Sequence, residues 1–228
     1  MPRTAIQTED GSTTLRDSLT GDTYHSIHGA IAESEWIYIG YGLSYCAEKY
    51  GLSSFCLEAP LHILEMGFGT GLNALLTAHW AMEKKCPIYY HTVERYPLAA
   101  DEYSQLAFQP FSQEAIAHLH RLPFGKASRV NPYFTIYKEE ADFGRLPLKK
   151  EAYHLVYYDA FAPDLQPYLW SESLLANVFL AQRAGGVVTT YSAKGSVYRA
   201  LKAAGYEVQR LPGPPGKREV IRAERPLD

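Results

Sequence analysis

The stretch that decides the fold is Leu61-His62-Ile63-Leu64-Glu65-Met66-Gly67-Phe68-Gly69-Thr70-Gly71. Its apolar first half predicts a buried strand over 61–66, and the amphipathic pattern of residues 72–85 predicts a helix. Glycines spaced G-x-G-x-G between a strand and a helix let the backbone approach a ligand at the helix N-terminus. The stretch therefore predicts an α/β fold with a ligand-binding turn.

Strands and helices alternate along the chain beyond this turn. The predicted strands lie at 88–94, 133–137, 154–159 and 187–192, and the predicted helices at 98–107, 112–121, 171–183 and 196–204. Such alternation indicates a mostly parallel sheet covered on both faces. Two last strands, 206–211 and 219–224, flank a Pro/Gly loop and predict an antiparallel hairpin at the sheet edge. A Rossmann-like sheet ending in such a hairpin is typical of class I methyltransferases.

Residues 1–60 differ from the alternating part of the chain. Turn signals at Asp10-Gly11 and at 20–22 separate short stretches with high strand propensity. A helix is predicted around 43–50, ended by Gly51. We therefore expect 1–60 to form a small β-rich extension packed on the main methyltransferase-like domain, 61–228.

Composition excludes several classes of protein. No run of about 18 apolar residues occurs, so no membrane span is expected, and the polar N-terminus does not resemble a signal peptide. We therefore expect a cytoplasmic protein. The three cysteines, Cys46, Cys56 and Cys86, are scattered without metal-ligand spacing, so no metal site is expected. A net charge of −3 argues against nonspecific coating of nucleic acid, although a local basic patch can still dock RNA.

Two carboxylates bear on the identity of the ligand. Glu94 closes the next predicted strand, where it can accept hydrogen bonds from ribose hydroxyls, as in dinucleotide enzymes. Glu65, two residues before the first glycine, would repel a pyrophosphate but attract the ammonium of a methionine moiety. Together with the G-x-G-x-G spacing, Glu65 favours S-adenosylmethionine. NAD or FAD, and a tight turn without a ligand, are the alternatives.

A second carboxylate motif follows the fourth predicted strand of the main domain. Asp159 opens the segment Asp159-Ala160-Phe161-Ala162-Pro163, in a loop bordered by Phe161 and Trp170. Loops at the C-terminal ends of parallel strands carry ligand chemistry in such folds. A carboxylate in a proline-stiffened aromatic loop indicates an amine-binding site; a loop-capping role for Asp159 is the alternative.

These motifs together resemble the methyltransferase domain of the MnmC family, which modifies the wobble uridine of certain tRNAs. The resemblance covers nearly the whole chain. Its segments are Asp22–Ser26, Glu33-Ser34, Glu65–Asn73, Glu94–Leu98, Asp159–Pro163, Trp170, Ala184–Val187, Thr190–Gly195, Leu201–Gly205 and Gly216–Glu219. Ala160 stands where the family has glycine, a small change that should leave the role of Asp159 intact.

The resemblance implies methylation of the 5-aminomethyl group of (2-thio)uridine at the wobble position, giving 5-methylaminomethyl-(2-thio)uridine. It assigns the cofactor, S-adenosylmethionine, to Glu65, Gly67, Phe68, Gly69, Gly71, Asn73, Glu94 and Glu140. At the adenine contact the family has Gly-Asp where this chain has Glu139-Glu140, and Asp142 is a further acid nearby. Asp159 is expected to orient the substrate amine and to help remove its proton.

The expected substrate-binding residues come from the N-terminal segment, the loop after Asp159 and the C-terminal loops. They are Tyr24, His25, Phe161, Trp170, Lys194, Lys217 and Arg218. Since the chain ends at Asp228, we expect no FAD-dependent oxidase domain and hence no FAD. A separate oxidase or other enzyme would then supply the amine. Alternatives are a methyltransferase for a small molecule or another RNA nucleotide, an NAD-dependent oxidoreductase, and a silent RNA-binding module.

Overall fold

A computed structural model describes residues 3–227 of the protein. Two strands near the N-terminus, β1 (Arg3–Gln7) and β2 (Thr13–Asp17), pair as an antiparallel hairpin. The remaining strands of the described part form one eight-stranded sheet. They are β3 (Leu61–Met66), β4 (Ile88–Glu94), β5 (Ala127–Asn131), β6 (Phe134–Glu140), β7 (Tyr153–Tyr158), β8 (Gln182–Thr190), β9 (Glu207–Pro212) and β10 (Glu219–Glu224).

The central sheet has the order β5-β6-β4-β3-β7-β8-β10-β9. Strands β6, β4, β3, β7 and β8 run parallel, so their C-terminal ends meet at one edge of the sheet. Strand β10 pairs antiparallel with both β8 and β9, which confirms the predicted C-terminal hairpin. The class I methyltransferase fold is therefore confirmed.

Helices connect these strands and cover both faces of the sheet. They are α1 (Ala30–Ser34), α2 (Tyr45–Tyr50), α3 (Leu72–Lys84), α4 (Ala100–Tyr103), α5 (Gln113–Arg121), α6 (Glu172–Ala181) and α7 (Gly195–Ala203). A π-helical stretch, Glu35–Ser44, joins α1 directly to α2. Short 3₁₀ turns lie at Leu52–Ser54, Phe143–Arg145 and Pro167–Trp170.

Successive side chains of the central strands alternate between two apolar layers. In β3, Ile63 belongs to the layer beneath α3 and Leu64 to the layer beneath α6 and α7. In β7, Leu155 and Val156 alternate in the same way. This period of two is what a sheet buried on both faces requires. Ile37, from the π-helical stretch, packs in the first layer, so residues before 61 share the core of the main domain.

Three local features differ from what the sequence predicted. The predicted helix at 43–50 is present as α2, but helical structure already begins at Ala30, so the N-terminal segment contains a long helical element as well as a β-hairpin. In a π-helix apolar residues do not recur every 3.6 positions, which hides the pattern used to predict it. Helix within 98–107 is limited to α4, since the chain then turns to bury Leu106 and Phe108. Strand β5 was not predicted, and the division at residue 60 stays a prediction.

Candidate active site

A cavity of about 580 Å³ opens at the C-terminal ends of the parallel strands. Its walls come from the glycine turn, the loops after β4 and β7, the N-terminal segment 22–26 and the loop between β9 and β10. The predicted site residues that line it are Tyr24, His25, Gly67, Phe68, Gly69, Asn73, Glu94, Asp159, Phe161 and Lys217. The structure thus brings together residues from five separate parts of the sequence.

The glycine turn passes close to two other walls of the cavity. Gly67 and Gly69 have φ angles of +90° and +51°, in the left-handed region that favours glycine. A Cβ atom on Gly67 would lie 3.1 Å from the carbonyl oxygen of Asp159, and one on Gly69 would lie 3.1 Å from the ring of Tyr24. Any larger residue at either position would therefore narrow the cavity and strain the turn.

Glu94 connects the end of β4 to the glycine turn. The backbone N–H of Gly69 donates to its Oε2 at 2.9 Å, and the N–H of Tyr96 donates to its Oε1 at 2.7 Å. These bonds fix the carboxylate at the cavity wall. Each carboxylate oxygen has a further lone pair, so Glu94 can still accept hydrogen bonds from a diol.

Asp159 is held by two side chains on opposite sides of its carboxylate. Tyr38 Oη donates to Oδ1 at 2.6 Å, and Asn73 Nδ2 donates to Oδ2 at 2.9 Å. Burial raises the pKa of Asp159 to about 7, although the bond from Tyr38 favours the charged form. The carboxyl group can therefore both take up and release a proton near neutral pH.

Two hydrogen bonds fix the backbone just after Asp159. Tyr191 Oη donates to the carbonyl of Ala160 at 2.8 Å, and Trp170 Nε1 donates to the carbonyl of Phe161 at 2.8 Å. The Phe161 ring meets Tyr24 edge-on, with the centroids 5.1 Å apart. Trp170 is buried behind the loop and does not line the cavity, so the structure gives it a supporting contact rather than access to a ligand.

Glu65 lies fully buried at the end of β3 and does not line the cavity. Thr92 Oγ1 donates to its Oε2 at 2.6 Å. Burial raises the pKa of Glu65 to about 8, so the side chain is mostly a neutral acid at pH 7. Gly71 is also set back from the cavity and is the N-cap residue of α3. Direct contact of either residue with a cofactor stays a prediction.

The N-terminal segment and the loop between β9 and β10 close one side of the cavity. Lys217 Nζ lies 3.2 Å from Glu33 Oε1 and 4.8 Å from the centroid of the Tyr191 ring. The other oxygen of Glu33 accepts the backbone N–H of Ser26 at 2.7 Å. His25 Nε2 lies 2.7 Å from Thr70 Oγ1, and burial lowers its pKa, which favours the neutral ring.

The acids that follow β6 lie in different environments. Glu139 pairs with His91 at 2.9 Å, Glu140 is exposed outside the cavity, and Asp142 lines the cavity. The adenine contact assigned to Glu140 stays a prediction. Two cations predicted to bind substrate are also outside the cavity: Lys194 pairs with Asp164, and Arg218 is exposed.

Several residues in or behind the cavity wall were not predicted as site residues from the sequence. Tyr38 contacts Asp159 from the π-helical stretch, and Arg95, Tyr96 and Tyr168 line the mouth. The residue type alone does not tell whether a tyrosine packs in the core or faces a ligand. Its direction depends on tertiary contacts, so only the resemblance of Glu94–Leu98 to a known segment pointed near this region.

Neither a metal-ligand cluster nor a membrane-spanning helix is present in the part of the chain that the structure describes. Among the side chains of residues 3–227, no three His, Cys, Asp or Glu groups are arranged to hold a metal ion. Helices in that same range are too short or too polar to cross a bilayer.

The chain matches a family model described as S-adenosyl-L-methionine-dependent methyltransferase over residues 93–226. Because the match covers more than half of the chain, the protein belongs to this family and is a methyltransferase enzyme. The predicted cofactor class is confirmed, and the NAD-dependent oxidoreductase finds no support. The cavity fits the cofactor, since a backbone cradle that a Cβ atom would fill lies beside the fixed carboxylate of Glu94.

The chain is similar in sequence to two proteins named MnmC. The chain is 33% identical over 233 residues to the tRNA 5-methylaminomethyl-2-thiouridine biosynthesis bifunctional protein MnmC of Aromatoleum aromaticum, covering 94% of this chain and 34% of the relative. It is 29% identical over 245 residues to the protein of that name from Burkholderia mallei, covering 98% and 35%. The chain thus spans about a third of the length of these relatives.

A solved structure confirms the fold. MNMC2 from Aquifex aeolicus superposes with a TM-score of 0.76 at 24% identity, covering 99% of this chain and 72% of that one. The resemblance to the MnmC family predicted from the sequence motifs is confirmed by these matches.

Proposed function

We propose that the protein transfers a methyl group from S-adenosylmethionine to the amino nitrogen of 5-aminomethyl-(2-thio)uridine at the wobble position of tRNA. The observation that carries this proposal is the placement of Asp159 at the cavity wall, beside the glycine turn, with a pKa of about 7. The names of the relatives, which refer to biosynthesis of 5-methylaminomethyl-2-thiouridine in tRNA, support the choice of substrate.

The chemistry requires a neutral amine, because an alkylammonium has no lone pair. When bound, S-adenosylmethionine supplies an electrophilic methyl group, whose bond to sulfur breaks as the bond to nitrogen forms. Asp159 accepts the proton that the amine loses, and the bonds from Tyr38 and Asn73 stabilise the charged form that accepts it. Residues that fix the carboxylate also orient the amine, which contributes to the rate.

The other cavity residues have roles consistent with this reaction. Glu94 would bind the ribose of the cofactor, and the backbone of Gly67 and Gly69 would pass beside it. Tyr24 and Phe161 offer aromatic surface beside Asp159 on which a pyrimidine can stack. The pyrimidine ring would thereby be held while its aminomethyl group reaches the carboxylate.

The test is incubation with labelled S-adenosylmethionine and tRNA carrying 5-aminomethyluridine, followed by nucleoside analysis. We expect label in 5-methylaminomethyluridine, and none with the same tRNA lacking the aminomethyl group. Asp159→Asn should slow transfer by about 10² or more, the range for loss of a general base, with cofactor affinity nearly unchanged. Label in any other nucleoside would contradict the proposed substrate.

Several points about the protein in the cell are part of the same proposal. The amine would be supplied by a separate oxidase or another enzyme, and the protein would act in the cytoplasm, where tRNA is modified.

Methylation of a small molecule or another RNA nucleotide is the competing function. A panel of small amines and unmodified RNAs in the same assay distinguishes them, because each would yield a different labelled product.

A further inference from the structure

The mouth of the cavity carries large apolar side chains that are exposed to solvent. Tyr96 and Tyr168 are 45% and 46% exposed, and Leu165 and Leu19 are 41% and 71% exposed. All four line the same cavity. Exposed apolar groups that cluster at a cavity mouth mark binding surfaces more often than isolated ones do. The mouth is therefore shaped to contact something larger than a ligand enclosed within it.

Arg95 holds the two tyrosines from separate loops in place. Its guanidinium carbon lies 5.1 Å from the centroid of the Tyr96 ring, and its Nη1 lies 3.4 Å from Tyr168 Oη. The same Nη1 donates to Asp142 Oδ2 at 3.0 Å. Tyr168 also packs over Gly144, where a Cβ atom would lie 3.1 Å from its ring. Aromatic side chains fixed in this way lose little conformational entropy on binding.

Arg3 connects this mouth to the aromatic pair beside Asp159. Its guanidinium carbon lies 5.7 Å from the centroid of the Tyr24 ring, and its Nη2 donates to the carbonyl of Tyr96 at 3.0 Å. Tyr24 in turn contacts Phe161. Aromatic surfaces therefore run from the carboxylate outward to the mouth, as successive bases of a single strand would need.

Side-chain burial distinguishes the mouth of the cavity from the residues further inside it. Asp142, whose side chain is 16% exposed, and Phe143, which is buried, offer a polar partner and an apolar surface for a base further inside. Tyr96 and Tyr168 lie outward of them and remain half open to solvent. Rings at this depth suit a base that arrives on a macromolecule.

We propose that Arg95, Tyr96 and Tyr168, here called the mouth platform, stack an unpaired base of the RNA substrate next to the reacting nucleotide. This inference rests on the proposed function, since it takes RNA as the substrate. It assigns a role in substrate binding to three residues that have no part in the methyl transfer proposed above.

The test measures RNA and cofactor affinities separately for Tyr168→Ala. Binding of a stem-loop RNA carrying aminomethyluridine in its loop is followed by fluorescence anisotropy, and binding of S-adenosylmethionine by titration calorimetry. We expect the RNA dissociation constant to rise by about fivefold to a hundredfold, the range for loss of one base–aromatic stack, with cofactor affinity unchanged. Tyr168→Phe keeps the ring and should bind like the wild type.

Leu57→Ala is the matched control, because Leu57 is exposed but precedes β3 and so lies away from the cavity. Melting temperatures establish that each variant is folded, and Tyr96→Ala provides a second variant with the same expected result. Unchanged RNA affinity in both alanine variants, or weaker cofactor binding in place of weaker RNA binding, would overturn the platform. Wild-type protein that does not bind the RNA would overturn it too.

The same measurements keep the two proposals apart. If the wild type binds RNA, Tyr168→Ala weakens that binding and no methyl group is transferred, the platform stands and the proposed reaction fails. If methyl transfer occurs and the alanine variants bind RNA normally, the reaction stands and the platform fails.

Discussion

Tyr38 and Asp159 are joined by a hydrogen bond of 2.6 Å, although 121 residues separate them in the sequence. Tyr38 lies in the π-helical stretch, and Asp159 follows the last residue of β7. The bond stabilises the carboxylate over the neutral acid. Burial raises the pKa of Asp159, and a residue from the N-terminal part of the chain partly offsets that rise.

Tyr38→Phe should move the pH dependence of methyl transfer. Loss of one hydrogen bond to a charged group is worth about 1.5–3 kcal/mol, which raises the pKa of Asp159 by roughly one to two units. We expect the rising limb of the single-turnover rate to shift to higher pH by that amount. Titration of the substrate amine is common to both proteins, so the difference between the two profiles isolates Asp159. Superimposable profiles would show that Tyr38 has no such effect.

Glu94→Gln should weaken cofactor binding. Its amide nitrogen would face the N–H of Gly69 or of Tyr96, so one of the two bonds that fix the turn becomes a donor–donor contact. We expect the dissociation constant for S-adenosylmethionine to rise about tenfold to a hundredfold by titration calorimetry.

The same titration tests the acids after β6. Because Asp142 lines the cavity and Glu140 does not, Asp142→Asn should weaken cofactor binding more than Glu140→Gln does. Equal or reversed losses would support the adenine contact that the sequence motif assigns to Glu140.

Glu65→Gln should raise stability increasingly as pH rises. The folded-state pKa of Glu65 is about 8 against an ordinary value of 4.5, so unfolding releases a proton between these pH values. The wild type therefore loses stability as pH rises through this window, and the glutamine variant lacks that loss. The difference in free energy of unfolding between pH 5 and pH 8 should be on the order of one to a few kcal/mol. Urea denaturation at the two pH values measures it, and a constant difference would argue against a neutral Glu65.

Arg218 and Lys217 should differ in their effect on RNA binding. Arg218 is exposed, whereas Lys217 is paired with Glu33 at the cavity wall. If Arg218 contacts a phosphate, Arg218→Gln should reduce the slope of log affinity against log salt concentration by about one. Lys217→Gln should lower the transfer rate with a smaller change in slope. Equal slopes in all three proteins would argue against a phosphate contact by Arg218.

Much of the fold followed from local patterns in the sequence. The apolar run before Gly67 is compatible only with a buried strand, as observed in β3. The Pro/Gly loop between β9 and β10 is compatible only with a hairpin, as observed. The stretch 30–50 has no such unique solution, because a π-helix does not repeat every 3.6 residues. Strand β5 pairs only along one edge, with β6, so its apolar pattern is weak.

The site was predicted less completely than the fold. Gly67, Gly69 and Asp159 follow strand ends and Glu94 is the last residue of β4, so the topology alone brings them to one edge of the sheet. Tyr38 reaches the same edge from a helix, and nothing in its neighbours along the chain indicates a partner 121 residues away. Contacts of that kind depend on how distant segments pack together, and a single sequence gives no direct information on that packing.

The pairing of Glu33 with Lys217 has a consequence for when the enzyme becomes competent during synthesis. The cavity needs walls from the first thirty or so residues and from the last hairpin of the sheet. A nascent chain that has released Asp159 from the ribosome still lacks the loop that carries Lys217. Contacts so far apart in sequence form late in folding, because the intervening chain must be ordered first. Methyl transfer should therefore begin only after the segment that carries Lys217 has left the ribosome and folded against Glu33.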